Sequence, residues 1–170
     1  MDSYEMKTKL LHYWRFKRQY DYFATETGKF KSDVLISNEK EIVEIEVKTN
    51  FQDLKNDFLK KKRGNRKKHE IYSSPTVWYA KFLPNKFYFA IPKELVPKAT
   101  DYLSQSNYGI IEVSNRKITN SKKVSYCKII KKSSIIYPHF NEKLQHQIIL
   151  RMGSEIIRLR MELDKAMSYS

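Results

Sequence analysis

The chain has 170 residues, of which 33 are Lys or Arg and 19 are Asp or Glu, so its formal net charge is +14 at pH 7. This length suits one domain, or one domain with an appendage. The excess of positive charge indicates a polyanionic partner, and nucleic acid is favoured over a membrane surface. No apolar run reaches the roughly 18 residues that a bilayer-spanning helix needs.

Cysteine and histidine usage argues against a disulfide framework or a zinc cluster. Cys127 is the single cysteine of the chain, and the four histidines are scattered without ligand spacing. We expect each histidine to be a packing or surface residue. Residues 1–16 lack the apolar core and cleavage site of a secretory leader. We therefore expect a cytoplasmic protein, either of a bacterial cell or of a phage-infected host.

The first third of the chain predicts one helix followed by three strands. Residues 4–16 carry apolar side chains at helical spacing and follow Ser3, which is a candidate N-cap. Residues 19–26 alternate polar and aromatic side chains, as strands do. Residues 32–37 (SDVLIS) and 41–48 (EIVEIEVK) predict two further strands joined by a hairpin turn.

The rest of the chain alternates predicted helices and strands. The predicted elements are a helix over 51–62, a strand over 86–92, a short helix from Pro92, strands over 109–114 and 124–130, and a long amphipathic helix over 141–167. This order predicts an α/β fold, with a mixed central sheet flanked by helices. We expect a core over residues 1–115 and a C-terminal strand-and-helix extension over residues 116–170. The extension would pack on the core or form a homodimer through its helix.

One predicted strand carries three charges on a single face. Glu44, Glu46 and Lys48 alternate with apolar residues, so they project to the same side of the strand. A solvated strand face is the simple interpretation, and a metal-dependent site is the alternative. Antiparallel pairing would bring Asp33 near Glu46, with the carbonyl oxygen of Val47 as a third ligand. Lys48 could then orient water or stabilise charge on a scissile phosphate.

These residues resemble the signature of a known nuclease superfamily. Asp33 followed by Glu46-Val47-Lys48 matches the D-x12-E-x-K pattern of the PD-(D/E)xK nucleases, although Ser32 stands where the motif has proline. IEVKTNFQDLKNDFLKKK followed by PNKFYFAIP resembles the MmcB-type DNA-repair nucleases. Archaeal Holliday-junction resolvases share the same core. The resemblance covers about residues 4–114 and implies a restriction-endonuclease-like core with the order α-β-β-β-α-β.

The resemblance also implies an activity and a set of roles. The chain would be a Mg²⁺- or Mn²⁺-dependent deoxyribonuclease acting in DNA repair, recombination or phage DNA processing. Asp33 and Glu46 would be metal ligands, and Lys48 would be the catalytic lysine. Many members add an acidic residue from the first helix, a place that Glu5 fits, while Glu26 is the competing candidate. The alternative function is a non-catalytic nucleic-acid-binding module with a nuclease fold.

Further residues are predicted to support the site or to contact DNA. Gln52 could contact the water shell of the metal or the DNA backbone, and for Glu44 a supporting or surface role is favoured over metal ligation. Tyr72 and Trp78 could stack on unpaired bases, but core packing is the favoured prediction for both. A basic run is predicted to bind duplex or branched DNA, with a solvated helix end as the alternative. Its predicted DNA-contacting residues are Lys60, Lys61, Lys62, Arg63, Arg66, Lys67 and Lys68.

Overall fold

The structure is a computed structural model that describes residues 1–59, 67–117 and 123–168. Its centre is a six-stranded mixed sheet whose strands lie in chain order. The strands are β1 (Tyr22–Thr27), β2 (Ser32–Ser37), β3 (Ile42–Val47), β4 (Lys86–Pro92), β5 (Gly109–Lys117) and β6 (Lys123–Lys131). The helices are α1 (Ser3–His12), which continues as a π-helical turn over Tyr13–Lys17, α2 (Phe51–Leu59), α3 (Lys68–Ser73), α4 (Val77–Ala80), α5 (Val96–Tyr102), which follows a 3₁₀ turn over Lys93–Leu95, and α6 (Glu142–Ser168).

The strand directions divide the sheet into three parts. β1, β2 and β3 form an antiparallel meander, β4 and β5 run parallel to β3, and β6 returns antiparallel to β5. A parallel pair of strands needs a long crossover connection, and here the β3–β4 connection contains α2, α3 and α4. The predicted α/β class with a mixed, helix-flanked sheet is therefore confirmed.

The two faces of the sheet are covered by different helices. On one face, Val43, Ile45 and Val47 of β3 share an apolar cluster with Leu10 of α1 and with Trp14 of the π-helical turn that follows α1. The opposite face contributes to a second apolar cluster with side chains from α2, α3 and α5. The start of α6 covers the β1–β2 side of that second face. All six residues of β3 are consequently buried.

The helices differ from the predicted ones at the N-cap of α1 and in two short additional helices. The N-cap of α1 is Asp2 rather than Ser3, because the Asp2 carboxylate accepts a hydrogen bond from the backbone N–H of Glu5 at 2.8 Å. The helix predicted over 51–62 is described as far as Leu59, and its last three predicted residues lie outside the described residues. The short helices α3 and α4 were not predicted, since four to six residues give too little periodicity to recognise.

The predicted C-terminal strand and helix both contact the sheet. β6 pairs with β5, and Leu144 and Ile148 of α6 pack against Ala24, Leu35 and Ile42. From residue 156 onwards the described part of α6 is exposed to solvent. Within residues 1–59, 67–117 and 123–168, no helix is both long and apolar enough to cross a membrane.

Candidate active site

The strand register brings three acidic residues into line across the meander. β2 and β3 pair with Val34 opposite Ile45, so one step further along the register Asp33 lies across from Glu46. Directly opposed residues of antiparallel strands project to the same face and are close neighbours. The β1–β2 register likewise places Glu26 across from Asp33. The predicted proximity of Asp33 and Glu46 therefore follows from the sheet pairing.

Asp33 is fixed by contacts on both of its carboxylate oxygens. The backbone N–H of Val47 donates to Oδ2 at 2.8 Å, and Nζ of Lys7 lies 2.9 Å from Oδ1. Lys7 also forms an ion pair with Glu26, so its ammonium group bridges the two acids. Burial, followed by the repulsion of the neighbouring Glu46 carboxylate, raises the pKa of Asp33 above its usual range. A cation between Asp33 and Glu46 would relieve that repulsion.

Glu46 and Lys48 lie in a buried ionic network. Nζ of Lys48 is 3.3 Å from Oε2 of Glu46 and 2.8 Å from Oδ1 of Asp57 on α2. The other oxygen of Glu46 accepts from Nζ of Lys68 at 2.5 Å. Burial disfavours ionisation of Glu46, but the charges of Lys68 and Lys48 outweigh burial and lower its pKa. Burial likewise opposes the charge on Lys48, and Glu46 and Asp57 outweigh it and raise the pKa of the ammonium group.

Glu44 and Lys68 form the innermost pair of this network. Lys68 is 3 % exposed and forms ion pairs with both Glu44 and Glu46, while the hydroxyl of Tyr72 donates to Glu44. The prediction that Lys68 contacts DNA is therefore wrong, because its ammonium group is buried against two carboxylates. Tyr72 packs in the core as favoured. Glu44 is 1 % exposed, which excludes the predicted surface role and leaves the supporting one.

A second series of contacts reaches Lys48 through Asp57. Oδ2 of Asp57 lies 2.8 Å from Nε2 of His69, and Nδ1 of His69 lies 3.0 Å from the hydroxyl of Tyr108. Burial opposes the charge on Asp57, but the hydrogen bond with His69 and the charge of Lys48 outweigh it and lower the pKa of Asp57 well below its usual range. Asp57 therefore remains ionised and holds the ammonium group of Lys48 in place.

Sequence reasoning missed Asp57 and His69, although one signal for Asp57 was present. Asp57 lies three residues after Leu54 and immediately before Phe58, so it occupies the inner face of a helix where an apolar residue is expected. A carboxylate at such a position requires a buried partner. For His69 the sequence carried no comparable signal, because its partners come from α2 and from the segment just before β5.

Two predicted residues, Glu5 and Gln52, contact side chains other than those of Asp33 and Glu46. Glu5 is paired with Lys9 at 2.5 Å, and Lys9 also contacts Asn115 at 2.5 Å. Of the two candidate acids, Glu26 is the one tied to Asp33, through Lys7. Gln52 is exposed and donates to Asn56 at 2.9 Å. The roles of Glu5 and Gln52 stay predictions.

Most of the predicted DNA-binding run falls in the segment between Leu59 and Lys67. Lys60, Lys61, Lys62, Arg63 and Arg66 lie outside the described residues. Lys67 is half-buried at the N-terminus of α3, where its backbone N–H donates to Glu70 at 3.0 Å. Trp78 was expected in the core, but it is 80 % exposed, so the packing prediction is wrong there.

The donor atoms at the site suit a hard divalent cation. Among the residues that the structure describes, no group of three or more His, Cys, Asp or Glu side chains could hold a metal ion. The predicted set is smaller, consisting of the carboxylates of Asp33 and Glu46 and the carbonyl oxygen of Val47. Mg²⁺ often takes only one or two protein carboxylates. Carboxylate and carbonyl oxygens are donors of the kind that Mg²⁺ prefers, and each carboxylate oxygen can accept more than one contact.

Comparison with known proteins identified no relative of this chain. No family model matches the chain, and neither a curated protein nor a solved structure matches it.

Proposed function

We propose that the chain is a metal-dependent endonuclease that hydrolyses DNA phosphodiester bonds, in DNA repair, recombination or phage DNA processing. The observation that carries this proposal is the cross-strand placement of Asp33 and Glu46, with Lys48 on the same face as Glu46. Two carboxylates could hold a divalent cation, and a cation so placed can polarise a phosphate oxygen. The net charge of +14 supports a polyanionic substrate.

Each residue of the set has a distinct role in this proposal. Asp33 and Glu46, with the carbonyl oxygen of Val47, would hold the divalent cation. A bound cation supplies Lewis-acid polarisation of a phosphate oxygen. The ammonium group of Lys48 would stabilise negative charge that develops on the phosphate. Asp57 would contact no reacting atom. Its Oδ1 lies 2.8 Å from Nζ of Lys48 and would hold that ammonium group in position.

The fold supports the same proposal. One helix, three antiparallel strands, a helical crossover and a parallel strand follow one another along the chain. This order is compatible with the α-β-β-β-α-β core that the resemblance to the PD-(D/E)xK superfamily implies. We infer a restriction-endonuclease-like core, with β6 and α6 as additions to it.

A cleavage panel tests the proposal directly. Linear, nicked, flapped and four-way DNA, with RNA counterparts, would be incubated with the chain in Mg²⁺, in Mn²⁺ and in EDTA. We expect metal-dependent cleavage of at least one DNA substrate, and we expect Lys48→Ala to abolish it while DNA binding is retained. Cleavage that persists undiminished in Lys48→Ala would sink the assignment of the site.

A non-catalytic nucleic-acid-binding module is the second candidate, and one observation favours it. Both oxygens of Glu46 and both oxygens of Asp33 already have partners, among them Lys48, Lys68 and Lys7. The carboxylates are thus neutralised without a metal. Calorimetric titration with Mn²⁺ separates the candidates. A saturable site that Glu46→Gln removes supports the nuclease, whereas DNA binding with neither saturable Mn²⁺ binding nor cleavage supports the module.

A further inference from the structure

The exposed tryptophan lies in a patch that the site does not explain. Trp78 is 80 % exposed, whereas Trp14 is 2 % exposed in the core. Single exposed apolar side chains are ordinary, whereas an exposed patch in which several apolar side chains lie together often marks an interaction site. Trp78 lines a cavity of about 540 Å³. We name this surface the aromatic-basic patch, and it consists of Lys29, Trp78, Tyr79, Lys81 and Phe82, with Thr76 at its margin.

The patch combines aromatic rings with ammonium groups. Nζ of Lys29 lies 4.6 Å from the ring centroid of Tyr79 and 4.3 Å from that of Phe82. Nζ of Lys81 lies 5.4 Å from the same Phe82 ring. These distances are within the range of cation–π attraction. Among the described residues that line the cavity, two are cations and none carries a carboxylate.

This chemistry suits one class of ligand. Aromatic rings stack on the faces of unpaired bases, and neighbouring ammonium groups neutralise the phosphates between them. In a duplex the base faces are covered by their neighbours, so a stacking site selects single strands. We propose that the aromatic-basic patch binds unpaired nucleotides of a single-stranded nucleic acid. An acidic peptide would satisfy the two lysines but would leave the Trp78 ring without a stacking partner.

The position of the patch connects it to the candidate active site. Lys29 lies in the β1–β2 turn, between Glu26 and Asp33 in the chain. The next residue, Phe30, packs edge-on against Tyr72 with ring centroids 5.6 Å apart, and Tyr72 donates to Glu44. If the proposed nuclease function holds, on which this step rests, the preferred substrate is DNA that carries a single-stranded segment, such as a flap or a fork.

Binding measured without cleavage tests the patch. The full chain in EDTA would be titrated with an oligothymidylate of about 16 nucleotides and with an abasic strand of equal length, which keeps the phosphates but lacks the bases. We expect Trp78→Ala to weaken oligothymidylate binding about tenfold and to leave abasic-strand binding unchanged. Trp78→Phe should restore most of the affinity. The matched control is Tyr4→Ala, which removes another exposed aromatic side chain, 82 % exposed, and should have no effect.

Three results would overturn the inference. They are an unchanged oligothymidylate affinity in Trp78→Ala, an equal loss for the abasic strand, and an equal loss in Tyr4→Ala. Emission from the buried Trp14 checks that each variant is folded. Failure of the nuclease proposal is read separately, from cleavage of the panel substrates in Mg²⁺. If oligothymidylate binding depends on Trp78 but no substrate is cleaved, the proposed role of the patch stands and the nuclease proposal is rejected. If a substrate is cleaved but Trp78→Ala binds oligothymidylate as the wild type does, the nuclease proposal stands and the proposed role of the patch is rejected.

Discussion

The two faces of strand β3 are equally buried and chemically opposite. Val43, Ile45 and Val47 pack on one side in an apolar cluster beneath α1. On the other side Glu44 and Glu46 are as deeply enclosed, but they form ion pairs with Lys68 of α3, and Glu46 also with Lys48, the residue that follows β3. The comparison teaches that burial alone does not make a strand face apolar, provided that every charge has a partner.

The energetic cost of the two faces is also different. Burial of apolar surface stabilises the folded state by about 25 cal/mol for each Å² removed from water. Buried ion pairs contribute little net stability, because desolvation offsets the attraction, and apolar replacements of similar volume are often as stable. The buried cluster of charges is therefore not explained by stability; it consists of Glu44, Glu46, Lys48, Asp57 and Lys68. In the proposed nuclease, these charges would serve the chemistry of Glu46 and Lys48.

The largest effect is expected when the charged face loses one cation. Lys68→Met removes the shared partner of Glu44 and Glu46 and leaves two buried carboxylates together, so the free energy of unfolding should fall by about 3–5 kcal/mol. Urea denaturation measures the change. Lys98→Met is the matched control, because Lys98 is exposed on α5 and should change stability by less than about 0.5 kcal/mol. A loss below about 1 kcal/mol for Lys68→Met would contradict the inference that the buried carboxylates of this face depend on Lys68.

The apolar face should respond through packing and not through charge. Leu10→Ala leaves a cavity beneath α1 and should lower the free energy of unfolding by about 2–5 kcal/mol. Phe16→Ala, at an exposed position, is the control and should be nearly neutral. Since Leu10 packs on the apolar side, cleavage per folded molecule should be unchanged. A specific loss of cleavage in the folded Leu10→Ala variant would contradict this division of roles.

Acid should act on the charged face through Asp57 and Glu46. Their pKa values are lower in the folded chain than the ordinary values of about 3.9 and 4.3. Between the folded-state pKa values and about pH 5, the unfolded chain therefore binds more protons than the folded chain. The stability that these carboxylates contribute above about pH 5 is consequently lost as the pH falls towards the folded-state pKa values. Asp33, whose pKa is raised, opposes this trend. Denaturation at several pH values should show a smaller loss on acidification in Asp57→Asn, and an identical slope would contradict the assignment.

The smallest effect concerns the outer end of the charged network. Tyr108→Phe removes the hydroxyl that contacts His69 at 3.0 Å, and the free energy of unfolding should fall by about 0.5–1.5 kcal/mol. Tyr102→Phe serves as the control, since Tyr102 is partly exposed on α5 and should be neutral. An unchanged stability in Tyr108→Phe would separate Tyr108 from the network.

The sequence predicted the strands and the cross-strand acids for local reasons. Strands 32–37 and 86–92 match the observed bounds, because turn residues bracket both runs. The proximity of Asp33 and Glu46 follows from a short hairpin, whose pairing the turn determines. The partners of Glu46 and Lys48 were not predictable in the same way. Lys68 and Asp57 reach them from helices across the sheet, and composition does not reveal which lysine of a basic run turns inward.

The most direct test compares two glutamates two residues apart on the same face. Glu44 and Glu46 both pair with Lys68. Glu46 lies across from Asp33 and contacts Lys48, whereas Glu44 lies across from Leu35. Cleavage of DNA in Mg²⁺ would be measured for Glu46→Gln and Glu44→Gln, normalised to the folded fraction. We predict a loss of at least about 100-fold for Glu46→Gln, as for removal of a catalytic electrostatic group, and activity within about fivefold of wild type for Glu44→Gln. Equal losses in the two variants, or full activity in Glu46→Gln, would contradict the proposed site.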